Sequence, residues 1–124
     1  MADLKNIALT VEAAQIVNEL GKSFGISEQM DTIRLGFAYA VQQDADLNRD
    51  LGTRGGSNYD SGGLDNEGLM AATVKVYYAY PEVQAEPYRA VEVLMNKGVR
   101  LLKEHLRDGT VGTLGDLVDV DQGK

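Results

Sequence analysis

The 124-residue sequence predicts a mainly α fold: one short N-terminal strand followed by four main helices. Lys5-Asn6-Ile7-Ala8-Leu9-Thr10 alternates at period two, two helical patterns joined at Gly25 follow it, and two more fill the second half. Strand, helix, helix is the layout of a ribbon-helix-helix unit, whose strand can lie in the major groove of DNA.

The first helix begins at Thr10, whose side-chain oxygen suits an N-cap, with Glu12 near the positive end of the dipole. Val11, Ala14, Val17 and Leu20, with Ile16 alongside, form one apolar stripe, leaving Glu12, Gln15, Asn18 and Glu19 for water. Gly21-Lys22-Ser23-Phe24-Gly25 ends it, because glycine reaches left-handed conformations at low cost. Ser27 is the expected cap of the second helix, whose apolar positions are Met30, Ile33, Phe37, Ala40 and Val41.

A glycine-rich loop spans about residues 44–65, and connections of that length tend to be functional or ordered by a partner. Within it, Gly56 to Asp60 can be extended, with Tyr59 as a sheet residue. Leu64, Leu69, Met70, Thr73, Val74 and Tyr77 then mark a third helix, closed by Tyr80-Pro81. The longest helix starts at about Glu86, tolerates Pro87 in its first turn, and buries Tyr88, Val91, Met95, Val99, Leu102 and Leu106. Leu94, Leu101 and His105 widen that stripe. Residues 1–115 read as a single domain and 116–124 as an acidic tail expected to fray.

The second half can thus be read as another strand-helix-helix, an internal duplication of element order without sequence identity. A lone ribbon strand leaves backbone groups unpaired and usually takes its twin from a second subunit. This chain can supply both.

Composition narrows the functional classes. With no cysteine and one histidine, disulfides, thiolate metal sites, cysteine nucleophiles and a histidine-rich metal cluster within one subunit are excluded. Apolar runs fall short of the roughly 20 residues that span a bilayer, and the first ten residues lack signal-peptide character. A soluble, cytoplasmic protein with no membrane partner is the expectation. The net charge of -7 disfavours nucleic acid unless bases gather on one face; adaptation to high salt also fits the acidity.

Candidate nucleic-acid contacts fall into four groups. Lys5, Asn6, Ala8 and Thr10 lie on the ribbon, where Asn6, Ala8 and Thr10 share one face and Ile7 and Leu9 the other; the polar face fits either a groove or water. Gly21, Lys22, Ser23 and Gly25 surround the start of the second helix, where amides can hold phosphate, although the same glycines also simply end a helix. Arg49 and Arg54 sit in the loop among Asp44, Asp46, Asp50 and Asp60, which can equally neutralise them. Lys97, Arg100, Lys103 and Arg107 make one basic stripe, interrupted by Glu104, that suits a DNA backbone or a solvated face. Arg34 reads as a structural ion-pair partner and His105 as a satisfied helix residue.

No catalytic residue is assigned. Asp44, Asp46 and Asp50 could hold a divalent ion for phosphodiester cleavage, but their spacing lacks the glycine and glutamate of a calcium loop, so no metal site is assigned.

Asp31-Thr32-Ile33-Arg34-Leu35-Gly36-Phe37-Ala38, the long polar loop, Gly63-Leu64-Asp65-Asn66-Glu67-Gly68-Leu69 and Asn96-Lys97-Gly98-Val99-Arg100-Leu101-Leu102 together resemble the DndE family of DNA phosphorothioation systems. The resemblance covers most of the chain, which differs in lacking a dense lysine cluster. It implies an accessory role in replacing a non-bridging phosphate oxygen of DNA with sulfur, with binding to duplex or nicked DNA and, in some members, nicking. DNA and other phosphorothioation proteins are then the expected partners, the chain acting as a monomer or small homo-oligomer. A divalent metal follows only if nicking occurs. The competing readings are a non-catalytic protein-interaction subunit whose acidic surface docks a basic partner, and a ribbon-helix-helix transcription regulator.

Overall fold

A computed structural model describes residues 3–48, 51–52 and 54–109. The fold is mainly helical, as expected, with a two-stranded antiparallel sheet and, among the described residues, six helices rather than four. Strand β1 (Asn6–Thr10) leads into α1 (Val11–Phe24) and α2 (Gln29–Gln42); β2 (Arg54–Asp60) leads into α3 (Ser61–Leu64), α4 (Leu69–Tyr77), α5 (Pro81–Ala85) and α6 (Pro87–Arg107). The acidic tail lies outside the described residues.

Thr10 caps α1 as its residue type foretells: Oγ1 accepts from the Ala13 amide at 3.1 Å. Ala13, Ile16, Val17 and Leu20 are buried, and Gly25 ends the helix at φ 70°, donating its amide to the Gly21 carbonyl. The cap of α2 falls one residue later than expected, on Glu28 rather than Ser27. Its first turn closes on the Glu28 carbonyl, which accepts from the Asp31 and Thr32 amides at 3.1 and 3.3 Å, so Ser27 stays outside.

The chain pairs its own two strands. Asn6 faces Asp60, Ile7 faces Tyr59, Ala8 faces Asn58 and Thr10 faces Arg54, with an irregularity between Ala8 and Thr10. There the backbones crowd: a Cβ on Gly56 would lie 2.4 Å from the Thr10 carbonyl oxygen, so only glycine fits.

The opposite edge of β1 is closed by side chains from α6. Ala8 donates its amide to Glu92 Oε2 at 2.9 Å, while Asn96 Nδ2 donates to the Ala8 carbonyl and Asn96 Oδ1 accepts from the Thr10 amide, both at 2.9 Å. Asn96 is fully buried and acts as a surrogate strand segment; its Nδ2 also reaches the Glu92 carbonyl at 2.8 Å.

Helix α6 is the axle of the core. It packs on α1, α2, α4, α5 and β1, burying Val91, Leu94, Met95, Val99 and Leu102 against Ile7, Leu9, Ile33 and Phe37. The third expected helix divides in two, because Asp65 is buried and takes the Met70 and Ala71 amides at 2.9 and 3.1 Å. That carboxylate starts α4 afresh after Gly68, which sits at φ 73°. Helix α5 falls between the end expected at Tyr80-Pro81 and the start expected at about Glu86; Pro81 stands in its first turn and Val83 anchors it in the core. Among the described residues, no helix is long and apolar enough to cross a membrane.

Candidate nucleic-acid interface

The outward face of the ribbon carries Asn6 and Ala8 from β1 and Asn58 and Asp60 from β2, while Ile7 and Leu9 point into the core. Lys5 and Asn6 are exposed at its end, close to where the Ser61 amide donates to the Lys5 carbonyl at 2.8 Å. Asp60 brings a negative charge to this face, and its Oδ2 also caps α3 through the Gly63 amide at 2.9 Å.

Thr10 is not open to solvent on that face. It is only 2% exposed, its hydroxyl serving both the Ala13 amide and Arg100 Nη2, the latter at 3.1 Å. A period-two reading cannot register this, because Arg100 comes from a distant helix.

The residues expected to surround a phosphate cradle also sit elsewhere. Gly21, Lys22 and Ser23 belong to the last turn of α1, and the amides of Gly25 and Ile26 both point back to the Gly21 carbonyl. These amides therefore close a helix; exposed Lys22 alone of the group presents a charge to solvent. Arg49 lies outside the described residues, as does Asp50; Arg54 opens β2 opposite Thr10.

The basic stripe is where the structure departs furthest from the expected field of positive charge. Lys97 Nζ pairs with the Asp46 carboxylate and donates to the Asp46 carbonyl at 2.8 Å. Arg100 Nε lies 2.8 Å from a Glu12 carboxylate oxygen, off the line of a hydrogen bond, and Nη2 donates to the Leu51 carbonyl. Lys103 lies 3.2 Å from Glu19. Glu12 and Glu19, two turns apart on α1, thus match Arg100 and Lys103, one turn apart on α6. The sequence left those glutamates to water and the cations to either a DNA backbone or a solvated face. What it lacked was the side-by-side packing of α1 and α6.

Asp46 is equally committed. Its hydrogen bond from Lys97, reinforced by the Asn48 amide and the Lys97 charge, holds its carboxyl below the usual range. Among the described residues, no group of three metal-ligating side chains converges.

Beside the stripe, Glu12, Ile16, Arg100, Lys103, Glu104 and Arg107 line a shallow cleft of about 210 Å³. Three cations and two carboxylates leave it close to balanced. Arg34 is structural, as expected: it joins Asp31 at 2.9 Å and donates Nε to the Leu64 carbonyl at 3.0 Å. His105 is satisfied through Nδ1 by the Tyr39 hydroxyl, the rings meeting edge to face at 5.4 Å.

Glu92 and Asn96 carry no charge or contact that the sequence flagged as functional. Their signal was nonetheless present: two polar residues four apart, set among the apolar Val91, Val93, Leu94, Met95 and Val99.

Comparison with protein-family models, with curated proteins and with solved structures finds no match for this chain.

Proposed function

We propose that the protein is a DNA-binding accessory component of a phosphorothioation system, meeting duplex or nicked DNA through the outward face of the β1–β2 ribbon. The observation that carries this reading is the in-chain ribbon itself, followed on each strand by helices. A two-stranded ribbon is one of the two elements that the major groove admits. Asn6, Ala8 and Asn58 offer small, neutral surfaces that can approach a groove closely, with Lys5 at the end of the face and Arg54 opening the second strand.

Recognition in this reading is of shape and backbone. Asn6 and Asn58 lack the reach and charge of base-reading arginines, so an operator-reading regulator fits less well. The protein acts in the cytoplasm beside other phosphorothioation proteins, and nicking would be an added activity needing a divalent ion.

Mobility shift with intact, nicked and single-stranded DNA tests the proposal. Binding of nicked or intact duplex at low salt is expected; no shift near micromolar protein removes it. Cleavage of a supercoiled plasmid, lost on chelation or in Asp44→Ala with Asp46→Ala, would add nicking.

The carboxylates facing Lys97, Arg100 and Lys103 favour a second reading, a non-catalytic protein-interaction subunit. A duplex shift absent at low salt, together with a defined protein contact, would select it.

A further inference from the structure

Among the described residues, the outer face of α4 has no packing partner. Leu69, Thr73 and Val76 follow one another at four and three residues along it, with Tyr77 flanking and Tyr80 just beyond the helix end. Met70 and Val74 face the core on the other side. Leu69 is 64% exposed, Val76 73%, Tyr77 68% and Tyr80 55%. These are four of the five large apolar side chains exposed among the described residues, and they fall on one short stretch. Scattered exposed apolar residues are ordinary, whereas a stripe at helical spacing that includes two tyrosines has the composition of a docking face.

One groove includes Leu69 and Thr73 in its lining, a second lies beside the helix that follows, and both rims carry carboxylates. The first, of about 460 Å³, runs between α2 and α4, floored by Phe37, Leu64 and Met70 and edged by Glu67 and the buried Asp65. The second, of about 230 Å³, lies beside α5, floored by Val83, Ala90 and Val93 and edged by Glu82 and Glu86. From Asp60 to Glu86 the sequence carries five carboxylates and a single cation, Lys75. Arg34 and Arg89, which border the two grooves, are held by Asp31 and Glu86. An occupant must therefore supply apolar anchors and positive charge together.

We propose that this face docks a basic amphipathic helix of a protein partner, its apolar residues seated on Leu69, Val76 and Tyr77 and its lysines or arginines set against Glu67 and Glu82. The helical part of the stripe, from Leu69 to Tyr77, extends about 12 Å, two turns of an opposing helix, which suits anchors at three- and four-residue spacing. The surface is separate from the ribbon, so the proposal stands whether or not the ribbon meets DNA.

Fluorescence anisotropy with the full chain tests it, using a labelled Leu/Lys amphipathic peptide of about 18 residues, or five turns. A scrambled peptide of the same composition and a Leu/Glu peptide with the same leucine positions serve as comparisons. The ordered Leu/Lys peptide binds at least about tenfold more tightly than either. Val76→Ser with Tyr77→Ser, and independently Leu69→Ser, bring it down to the scrambled level, while Val11→Ser, at an exposed apolar residue on α1, does not. Circular dichroism establishes that each variant folds, and the duplex shift is the same in all of them. Equal binding of the scrambled peptide would reduce the contact to charge attraction and overturn the proposal. So would indifference to the α4 variants, or sedimentation showing a self-association that those variants abolish, which would make a second copy the occupant.

Discussion

Gly36 of α2 and Gly98 of α6 lie against each other with no room for a side chain between them. A Cβ on Gly98 would sit 1.7 Å from the Gly36 carbonyl oxygen, and one on Gly36 would sit 2.6 Å from Val99 Cγ1 and 3.0 Å from the Val99 amide nitrogen. The most extensive helix contact in the molecule is built around this crossing. Gly98→Ala is expected to lower stability by about 3 kcal/mol, because rigid backbone on both sides must part. Urea denaturation measures the loss; a change under about 1 kcal/mol would mean that the helices are free to separate.

Asn96 makes a second prediction. Replacing it with leucine keeps the branching of the side chain but leaves the Thr10 amide and the Ala8 carbonyl without partners on that edge, at a cost of about 3 kcal/mol. Hydrogen exchange should speed first at Thr10, whose amide loses its acceptor, before the amides of α4. Uniform acceleration along the chain would show that Asn96 contributes to global packing rather than to the strand edge.

The Tyr88 hydroxyl donates to Asp65 at 2.9 Å, and burial, the Asp65 hydrogen bond and the charges of Asp65 and Asp3 push its phenol up to about 12. The folded chain holds the proton where an unfolded tyrosine, at 10.0, releases it. Stability from this group is therefore complete below pH 10 and falls as pH rises towards about 12. Absorbance titration of the six tyrosines should show a late phenol that disappears in Tyr88→Phe, whose stability declines less steeply over the same window.

The ion pairs of α6 separate ribbon from helix as the DNA contact. Lys5→Ala with Arg54→Ala should weaken duplex binding at every sequence and lower the salt slope by about 1 for each phosphate no longer neutralised. Lys103→Ala, already matched by Glu19, should change neither affinity nor, beyond about 0.5 kcal/mol, stability. The reverse pattern in a salt titration would move the contact to α6.

Elements governed by local chemistry were legible in the sequence. The Thr10 cap, the Gly25 stop, the stripe of α6 and the extended stretch around Tyr59 follow from residue type and spacing, whereas the stripe of α1 is only partly as read: Ile16, Val17 and Leu20 are buried, but Ala13 takes the place of Val11, which is 42% exposed. Features set by distant contacts were not. Thr10 is buried because its hydroxyl meets Arg100 from α6 as well as the Ala13 amide, Arg100 is drawn to Glu12 because α1 and α6 lie side by side, and α4 restarts because Asp65 folds back onto its amides. The stripe of cations was visible from its spacing; its neutralisation needed residues 51 to 88 positions away. Similarly, Leu69 and Tyr77 were read as core because helical spacing does not say which side of a narrow helix the core lies on; the structure leaves both outside.

In a ribbon assembled from two copies of one strand, both halves carry the same residues and share a two-fold axis, and unfolding depends on protein concentration. Here the strands are NIALT and RGGSNYD, joined through α1, α2 and the loop after them. The midpoint of unfolding should owe nothing to concentration on the ribbon's account. With Asn6 opposite Asp60 and Ala8 opposite Asn58, the ribbon has a direction, and a surface that lies against it has no need to be a palindrome.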